Sequence, residues 1–397
     1  MTKEKVIPQI RFSGFTDTWE QHKLGDHSEI VAGGTPNTGH PEYWNPKEIP
    51  WMSSGEINNK VIYSTDNMIS KIGFSNSSAK WVKEKSVLIA LAGQGKTRGT
   101  VAISEIPLTT NQSIAAIQPD SFLYYKFLFQ NLEERYNELR EVSSGDGTRG
   151  GLNKQIISDL EVLAPEIQEQ IKIGDFLCGI DTLITLHQRK YDKLTKVKKA
   201  MLEKMFPENG SPYPEIRFKG FTDAWEQRKL GEISESFEYG LNAAATEYDG
   251  KHKYIRITDI DDSTHLFLQD DLTSPDIDFS TADDYLLQEG DVLFARTGAS
   301  VGKTYIYRRS DGDLYFAGFL IRAKIKSDYD ADFVFQNTLT DSYDSYIRIT
   351  SQRSGQPGVN AQEYANFALS VPSLAEQKKI GAYFSHLDSL ITLHQRM

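Results

Sequence analysis

The 397-residue sequence contains a single cysteine, Cys178, which excludes a disulfide framework or a cysteine-based zinc site within the chain and suggests a packing role. No apolar run approaches the roughly 18 residues that a membrane-spanning helix needs. The opening MTKEKVIPQIRF lacks the apolar core of a secretory signal. We therefore expect a cytoplasmic protein without membrane partners, built from two or three globular domains.

The sequence also lacks an excess of positive charge, since its formal net charge is -11. Residues 1–207 hold 25 basic and 25 acidic side chains, so the whole acidic excess falls in residues 208–397, with 19 basic and 30 acidic ones. Composition alone gives no support to a nucleic-acid partner. Such a partner remains possible if basic groups gather on one face.

The motifs of several enzyme classes are missing. Two GKT sequences occur, but a phosphate-binding loop needs a glycine five residues before the GKT glycine, where the chain has Ala90 and Thr297. There is no Asp/Asn-Pro-Pro-aromatic tetrapeptide and no evident glycine-rich cofactor turn, which disfavours a methyltransferase. Neither the carboxylates nor the eight histidines have metal-site spacing. We predict no catalytic residue, no metal site and no cofactor bound by this chain.

The chain does contain an internal repeat. PQIRFSGFTDTWEQHKLG at 8–25 returns as PEIRFKGFTDAWEQRKLG at 214–231, and EQIKIGDFLCGIDTLITLHQR at 169–189 returns as EQKKIGAYFSHLDSLITLHQR at 376–396. Between these segments the halves differ, although short β-branched stretches, turns and helices such as 122–140 follow a similar order. The pattern predicts two α+β domains in tandem.

Residues 166–206 show a 4,3 alternation of apolar positions, which is typical of a coiled coil. A helix of that length needs a helical partner, and the second copy could pair with it antiparallel. The sequence ends soon after that copy, so the second helix is expected to be shorter by roughly four turns, through truncation or because another chain completes the coil. His187 and His394 are expected to set the register. The predicted seam consists of Ile173, Leu177, Ile180, Ile184, His187, Tyr191, Leu194, Met201, Met205, Ile380, Phe384, Leu387, Ile391 and His394.

Candidate DNA contacts lie in glycine-rich loops at similar places in the two halves, where backbone can approach a phosphate and long side chains can reach base edges. A turn or strand-edge role is as probable for any one of them. In the first half they are Ser53, Gln94, Lys96, Thr97, Arg98, Asn111, Gln112, Arg149 and Asn153. In the second half they are Arg296, Thr297, Ser300, Lys303, Arg353, Gln356 and Asn360.

The doubled IRFxGFTDxWEQxKLG and EQxKIGxxxxxxDxLITLHQR motifs, with KMF at 204–206, resemble the specificity subunits of type I restriction-modification systems over essentially the whole chain. The resemblance implies target-recognition domains at 1–165 and 207–373, a spacer helix at 166–206 and a shortened one at 374–397. It implies that each domain reads one half of an asymmetric, bipartite site in double-stranded DNA. Methyltransferase and restriction/translocase subunits would dock on the chain and carry S-adenosylmethionine, ATP and Mg.

Two other functions remain open at this stage. A non-catalytic coiled-coil scaffold that binds protein partners through its two domains would suit the acidic second half. An autonomous restriction enzyme or methyltransferase is disfavoured by the missing motifs.

Overall fold

The computed structural model describes residues 7–93, 97–142, 151–208, 210–352 and 356–395. The chain forms two compact units, residues 1–184 and residues 185–397, and the boundary falls inside the predicted spacer helix. Each unit mixes strands and helices. None of the described helices combines the length and the apolar character needed to cross a membrane.

The first unit is built on a five-stranded sheet with the order β2-β9-β6-β7-β4, beside a three-stranded sheet β5-β3-β8 and a β1-β10 pair. Its described strands are β1 Glu20–Lys23, β2 Ser28–Ala32, β3 Ile49–Met52, β4 Val61–Ile62, β5 Asn67–Ile69, β6 Ser86–Ala90, β7 Val101–Ser104, β8 Thr109–Thr110, β9 Ile114–Pro119 and β10 Glu161–Ala164. Its helices are α1 Lys71–Ser75, α2 Tyr125–Glu134, α3 Tyr136–Val142, α4 Lys154–Ser158 and the start of α5 Ile167–Met205. Short 3-10 turns lie at Leu24–Asp26, Pro41–Tyr43 and Ser54–Asn59.

The second unit has a four-stranded sheet with the order β12-β19-β16-β17 and the pairs β13-β15, β14-β18 and β11-β20. Its described strands are β11 Glu226–Lys229, β12 Ser234–Tyr239, β13 Ala245–Glu247, β14 Lys253–Ile255, β15 Thr273–Pro275, β16 Val292–Ala295, β17 Thr304–Ile306, β18 Leu314–Phe316, β19 Leu320–Ile325 and β20 Ala368–Val371. Its helices after α5 are α6 Leu230–Ile233, α7 Ala331–Asn337, α8 Asp341–Thr350, α9 Ala361–Ala365 and α10 Leu374–Gln395. Its 3-10 turns are Ile257–Asp259, Phe279–Thr281, Asp283–Tyr285 and Arg309–Asp311.

The central strand of each main sheet is buried on both faces, which explains why it is apolar at successive positions. In β6, Val87 and Ile89 join the core under α2, while Leu88 packs into a second core on the opposite face. In β16, Phe294 and Leu293 divide between two cores in the same way. The two sheets therefore follow one plan despite their different sequences.

The repeated motifs hold the opening segment of each unit against the start of a long helix. Arg11 donates from Nε and Nη2 to the two carboxylate oxygens of Glu169, both at 2.7 Å. Arg217 makes the same bidentate contact with Glu376, at 2.7 and 2.8 Å. Both glutamates are buried, so the guanidinium neutralises a charge that water cannot reach. The IRF and EQ motifs thus specify a packing contact.

The glutamine and glycine of the helix motif also have structural roles. Gln170 and Gln377 each donate to a proline carbonyl oxygen five residues earlier, at 2.9 and 2.8 Å. A Cβ on Gly174 would lie only 2.6 Å from the backbone nitrogen of Phe127, and one on Gly381 would lie 2.4 Å from a carboxylate oxygen. A glycine at this position lets a neighbouring helix approach closely.

In the second unit, the end of α5 packs antiparallel against α10. His187 faces His394 with 2.7 Å between their Nδ1 atoms, Lys198 pairs with Asp388 at 2.6 Å, and Phe206 lies near Phe384, so α5 numbers rise as α10 numbers fall. Burial of the predicted seam varies along its length. Met205, Ile380, Phe384, Leu387 and Ile391 are buried; Ile173, Leu177, His187, Tyr191, Leu194, Met201 and His394 are half-buried; Ile180 and Ile184 are exposed.

The single helix predicted over 122–140 is wrong in one respect, because the structure divides it into α2 and α3 at Arg135. The backbone leaves helical geometry there, with ψ at 16°. The Arg135 side chain donates to the carbonyl oxygen of Glu161 at 2.7 Å, which ties the break to β10. This cause is tertiary, and neither glycine nor proline marks it in the sequence.

Candidate nucleic-acid interface

Two loops meet in the second unit, one after β16 and one before α9. Thr297 and Gly358 form an antiparallel bridge, Gly298 N donates to Pro357 O at 3.1 Å, and Val359 N donates to Arg296 O at 2.9 Å. A Cβ on Gly298 would lie 3.3 Å from the Gln356 amide nitrogen. The structure thus brings together three of the residues predicted to contact DNA: Arg296, Thr297 and Gln356.

Aromatic side chains accompany these polar groups. The Arg296 guanidinium lies over the Tyr239 ring, 5.1 Å from its centroid, and Arg296 N donates to the carbonyl oxygen of Phe319 at 3.0 Å. Phe319 is 61% exposed and Tyr239 is 44% exposed. A guanidinium held over an aromatic ring is oriented while its donors stay available for a ligand. An exposed group of this composition suits contact with bases and phosphates.

The corresponding loops of the first unit also meet. Leu152 N donates to Leu91 O at 3.0 Å, as Val359 N does to Arg296 O in the second unit. Arg98 and Arg140 line a shallow cavity of about 400 Å³, together with one asparagine and one glutamate of α3. Thr97 is half-buried, and its carbonyl oxygen accepts from Thr100 N to close the turn. Gln94, Lys96 and Arg149, like Arg353 in the second unit, lie outside the described residues.

A second cluster of predicted residues lies where the parallel strands β3 and β8 end. Asn111 N donates to Met52 O at 3.0 Å, which brings Asn111 beside Ser53. The Gln112 amide oxygen accepts from the Thr35 hydroxyl at 2.5 Å and its side chain is exposed. Ser53 is occupied locally, because its backbone N–H and its hydroxyl both donate to Glu56.

Several predicted residues have local structural roles. Asn153 accepts from Ile156 N and Asn360 from Glu363 N, both at 2.9 Å, so the repeated asparagine caps a short helix in each unit. Lys303 donates to Ile260 O at 3.0 Å and pairs with Asp262. The carbonyl oxygen of Ser300 accepts from Lys303 N in the same loop at 3.0 Å.

The loops of the two units are placed by matching backbone hydrogen bonds. Leu91 N donates to Ser113 O at 2.8 Å, and Arg296 N to Phe319 O at 3.0 Å. Asn111 N donates to Met52 O, and Ala317 N to Ile255 O, both at 3.0 Å. β3 pairs with β8, and β14 with β18, in the same parallel sense. One backbone frame therefore presents two different sets of side chains.

A family model for the type I restriction modification DNA specificity domain matches the chain twice, at residues 16–196 and 222–397. The chain belongs to this family. Among its relatives, the MjaIX specificity subunit of Methanocaldococcus jannaschii is 29% identical over 308 residues, which cover 71% of this chain and 67% of the relative. The MjaVIII specificity subunit of the same organism is 20% identical over 402 residues, 99% of this chain and 92% of the relative.

The structure of a type I system S subunit from M. genitalium has a TM-score of 0.60 and 14% identity to this chain, and the match covers 98% of this chain and 94% of that one. At this identity the likeness supports the fold alone. This likeness in fold agrees with the two similar α+β domains and the long helices of the present chain. Each domain matched by the family contains one copy of the paired loops.

The sequence analysis did not single out three side chains that lie beside these loops: Tyr239, Phe319 and Arg256. Arg256 follows β14 as Ser53 follows β3, and its guanidinium makes a bidentate contact of 2.8 Å with Asp259. Tyr239 is the last residue of β12 and Phe319 directly precedes β19, so all three side chains lie at strand ends. Within the described part of the chain, no three potential metal ligands cluster.

Proposed function

We propose that this chain reads an asymmetric, two-part site in double-stranded DNA, one half with each unit, as the non-catalytic specificity subunit of a type I restriction-modification complex acting in the cytoplasm. The observation that carries the proposal is the matched frame of backbone hydrogen bonds in the two units. In these matching sets of hydrogen bonds, Leu91 of the first unit and Arg296 of the second unit occupy equivalent positions. Two frames with different side chains would recognise two different half-sites.

The residue types at the two surfaces support DNA as the ligand. Arginine recognises guanine through two acceptors, and asparagine or glutamine recognises adenine in the same groove. The second unit offers Arg296 with Gln356, and the first offers Arg98 with Asn111 and Gln112. The loops carry glycines, which let backbone approach a phosphate group.

The acidic excess of the second half does not decide against this proposal, because DNA responds to the charges near its binding surface more than to the net charge, and several of the carboxylates have local structural roles. Asp261 accepts hydrogen bonds from Ser263 and Thr264, and Asp259 binds Arg256. Asp278 accepts from Ser280 N at 3.0 Å. These carboxylates therefore hold the backbone of the loops in place or pair with a neighbouring arginine. The local arrangement of cations decides where DNA binds.

The chemistry of modification and cleavage would belong to partner subunits. We propose that DNA methyltransferase subunits and restriction/translocase subunits dock on this chain and carry S-adenosylmethionine, ATP and Mg. The long helix α5 supports this proposal, because Leu183, Ile184 and Leu186 are each more than half exposed on it. Exposed apolar side chains along a helix are typical of a protein interface.

Binding of DNA at two salt concentrations tests the proposal against the scaffold alternative. Purified chain, alone and with its modification subunit, would be titrated with a labelled pool of random duplexes. Phosphate contacts make the logarithm of the affinity fall linearly with the logarithm of salt concentration. We expect such a fall, followed by enrichment of a split sequence on repeated selection. Salt-independent or absent binding by the complex would favour a scaffold that binds only proteins.

A further inference from the structure

The turn between β18 and β19 presents a large apolar side chain to solvent. It consists of Ala317, Gly318 and Phe319, and its backbone is fixed at both ends: Ala317 N donates to Ile255 O at 3.0 Å and Leu320 N to Ala317 O at 2.8 Å. Phe319 is nevertheless 61% exposed. Single exposed apolar side chains are common on protein surfaces, so the neighbours of Phe319 have to show whether a ligand covers its ring.

The equivalent turn of the first unit has the same hydrogen bonds and a different surface. Asn111 N donates to Met52 O at 3.0 Å and Ile114 N to Asn111 O at 3.2 Å. The next two residues are Gln112, which is exposed, and Ser113, whose carbonyl oxygen accepts from Leu91 N. Polar groups therefore occupy the turn of the first unit, whereas glycine and phenylalanine occupy that of the second.

The neighbours of Phe319 indicate what would cover it. Its carbonyl oxygen accepts from Arg296 N, and the Arg296 guanidinium is held over the Tyr239 ring, so an arginine lies at the same edge as the exposed phenylalanine. In the major groove arginine recognises guanine, glutamine recognises adenine, and phenylalanine packs on the C5 methyl group of thymine. The major groove is the groove in which an exposed phenylalanine beside an arginine can meet a thymine methyl group next to a guanine.

We propose that Phe319 is a specificity-determining residue of the second unit, and that its ring packs on the C5 methyl group of a thymine in the second half-site. This inference rests on the proposed function. It adds an apolar contact to a surface whose predicted DNA contacts were all polar. Arg296, adjacent to Phe319, contacts a neighbouring base or phosphate.

The test uses the complex of this chain with its modification subunit and a duplex carrying the motif that the complex modifies. Each thymine of the second half-site is replaced in turn by deoxyuridine, which lacks only the methyl group. Loss of one buried methyl should weaken binding about fourfold. For the Phe319→Ala variant we expect weaker binding to the thymine duplex and no further loss with deoxyuridine at the one position that the ring contacts.

Two further variants separate a contact from a general effect. Phe319→Leu keeps an apolar side chain and should retain part of the preference for thymine. Ile349→Ala removes a 70% exposed apolar side chain of the same unit and should leave the preference unchanged. Circular dichroism melting of each variant would show whether the second unit still folds.

Three results would overturn the inference: a deoxyuridine effect in Phe319→Ala equal to that in the parent chain, a second half-site that contains no thymine, or equal loss of affinity for unrelated duplexes. A rise in 2-aminopurine fluorescence at a base step, lost in Phe319→Ala, would instead identify the ring as a wedge and would also refute the methyl contact. If the parent complex selects no sequence at all, the proposed function fails together with the inference.

Discussion

The carboxylate of Glu169 is fully buried, and the guanidinium of Arg11, 158 residues earlier in the chain, neutralises it through two hydrogen bonds of 2.7 Å. Arg217 and Glu376 repeat this geometry in the second unit. Sequence motifs that recur almost unchanged in both halves therefore fix the scaffold. The loops between these motifs differ in sequence between the two halves, so the two units can bind different ligands on the same scaffold.

Removal of one partner of this pair should destabilise the protein more than removal of both. Arg217→Met leaves the Glu376 carboxylate buried without its cation, whereas Arg217→Met combined with Glu376→Met replaces a charged pair by apolar groups. We expect the single variant to melt several degrees lower than the double variant. Differential scanning calorimetry checks this order. A double variant that melts below the single one would contradict a pairing role.

Alanine substitutions at two glycines of α5 should change the free energy of unfolding in opposite directions. Gly174→Ala would place a Cβ 2.6 Å from the Phe127 backbone nitrogen, and such overpacking costs about 1–3 kcal/mol. A Cβ on Gly179 would meet no other atom within 4 Å, so Gly179→Ala should stabilise the helix by up to about 1 kcal/mol. Denaturant unfolding measures both changes. Equal effects would mean that the close approach of α2 to α5 is wrong.

The histidine pair between α5 and α10 should make the second unit sensitive to acid. Burial, Lys190 and His187 lower the pKa of His394 from its ordinary value. The unfolded chain therefore binds the proton more tightly, so the contribution of His394 to stability should be fully present above about pH 6.5 and should be lost as the pH drops below it. Burial also lowers the pKa of His265, so His394→Gln should reduce, without abolishing, the fall of the melting temperature in acid, whereas exposed His386→Gln should leave it unchanged. Stability that rises on acidification would contradict the argument.

Arg296 should contribute to recognition by the second unit only. Arg296→Ala removes a guanidinium held over Tyr239, and we expect about a tenfold loss for duplexes carrying the second half-site. Arg309→Ala makes the same charge change at an exposed position and serves as the control. Fluorescence anisotropy with each half-site altered in turn provides the measurement. A uniform loss across unrelated sequences would indicate a phosphate contact.

Repeats and periodicity were sufficient to predict the scaffold from the sequence. The predicted helix over 166–206 begins at Ile167 and ends at Met205, because an apolar seam without proline allows few alternatives. The two-unit plan followed from the duplicated IRF and EQ motifs. The split of α2 from α3 at Arg135 escaped prediction, since its cause is a contact with β10 that is distant in sequence.

The candidate site was harder to predict, because residue type does not distinguish a DNA contact from a turn. Asn153 and Asn360 have the side chains of base readers, yet they cap helices. The residue type of Phe319 likewise does not show that its ring is exposed at a turn. Only the hydrogen bonds that align the turns of the two units show which positions are equivalent.

Genome-wide mapping of methylated adenines in a host carrying this chain with its modification subunit tests the central claim most directly. The account predicts one motif made of two different half-sites separated by a gap of constant length. Exchange of the first unit's loops should then change one half-site and leave the other intact. A continuous motif, or no motif from an assembled complex, would contradict the claim that the two units read two parts of one site.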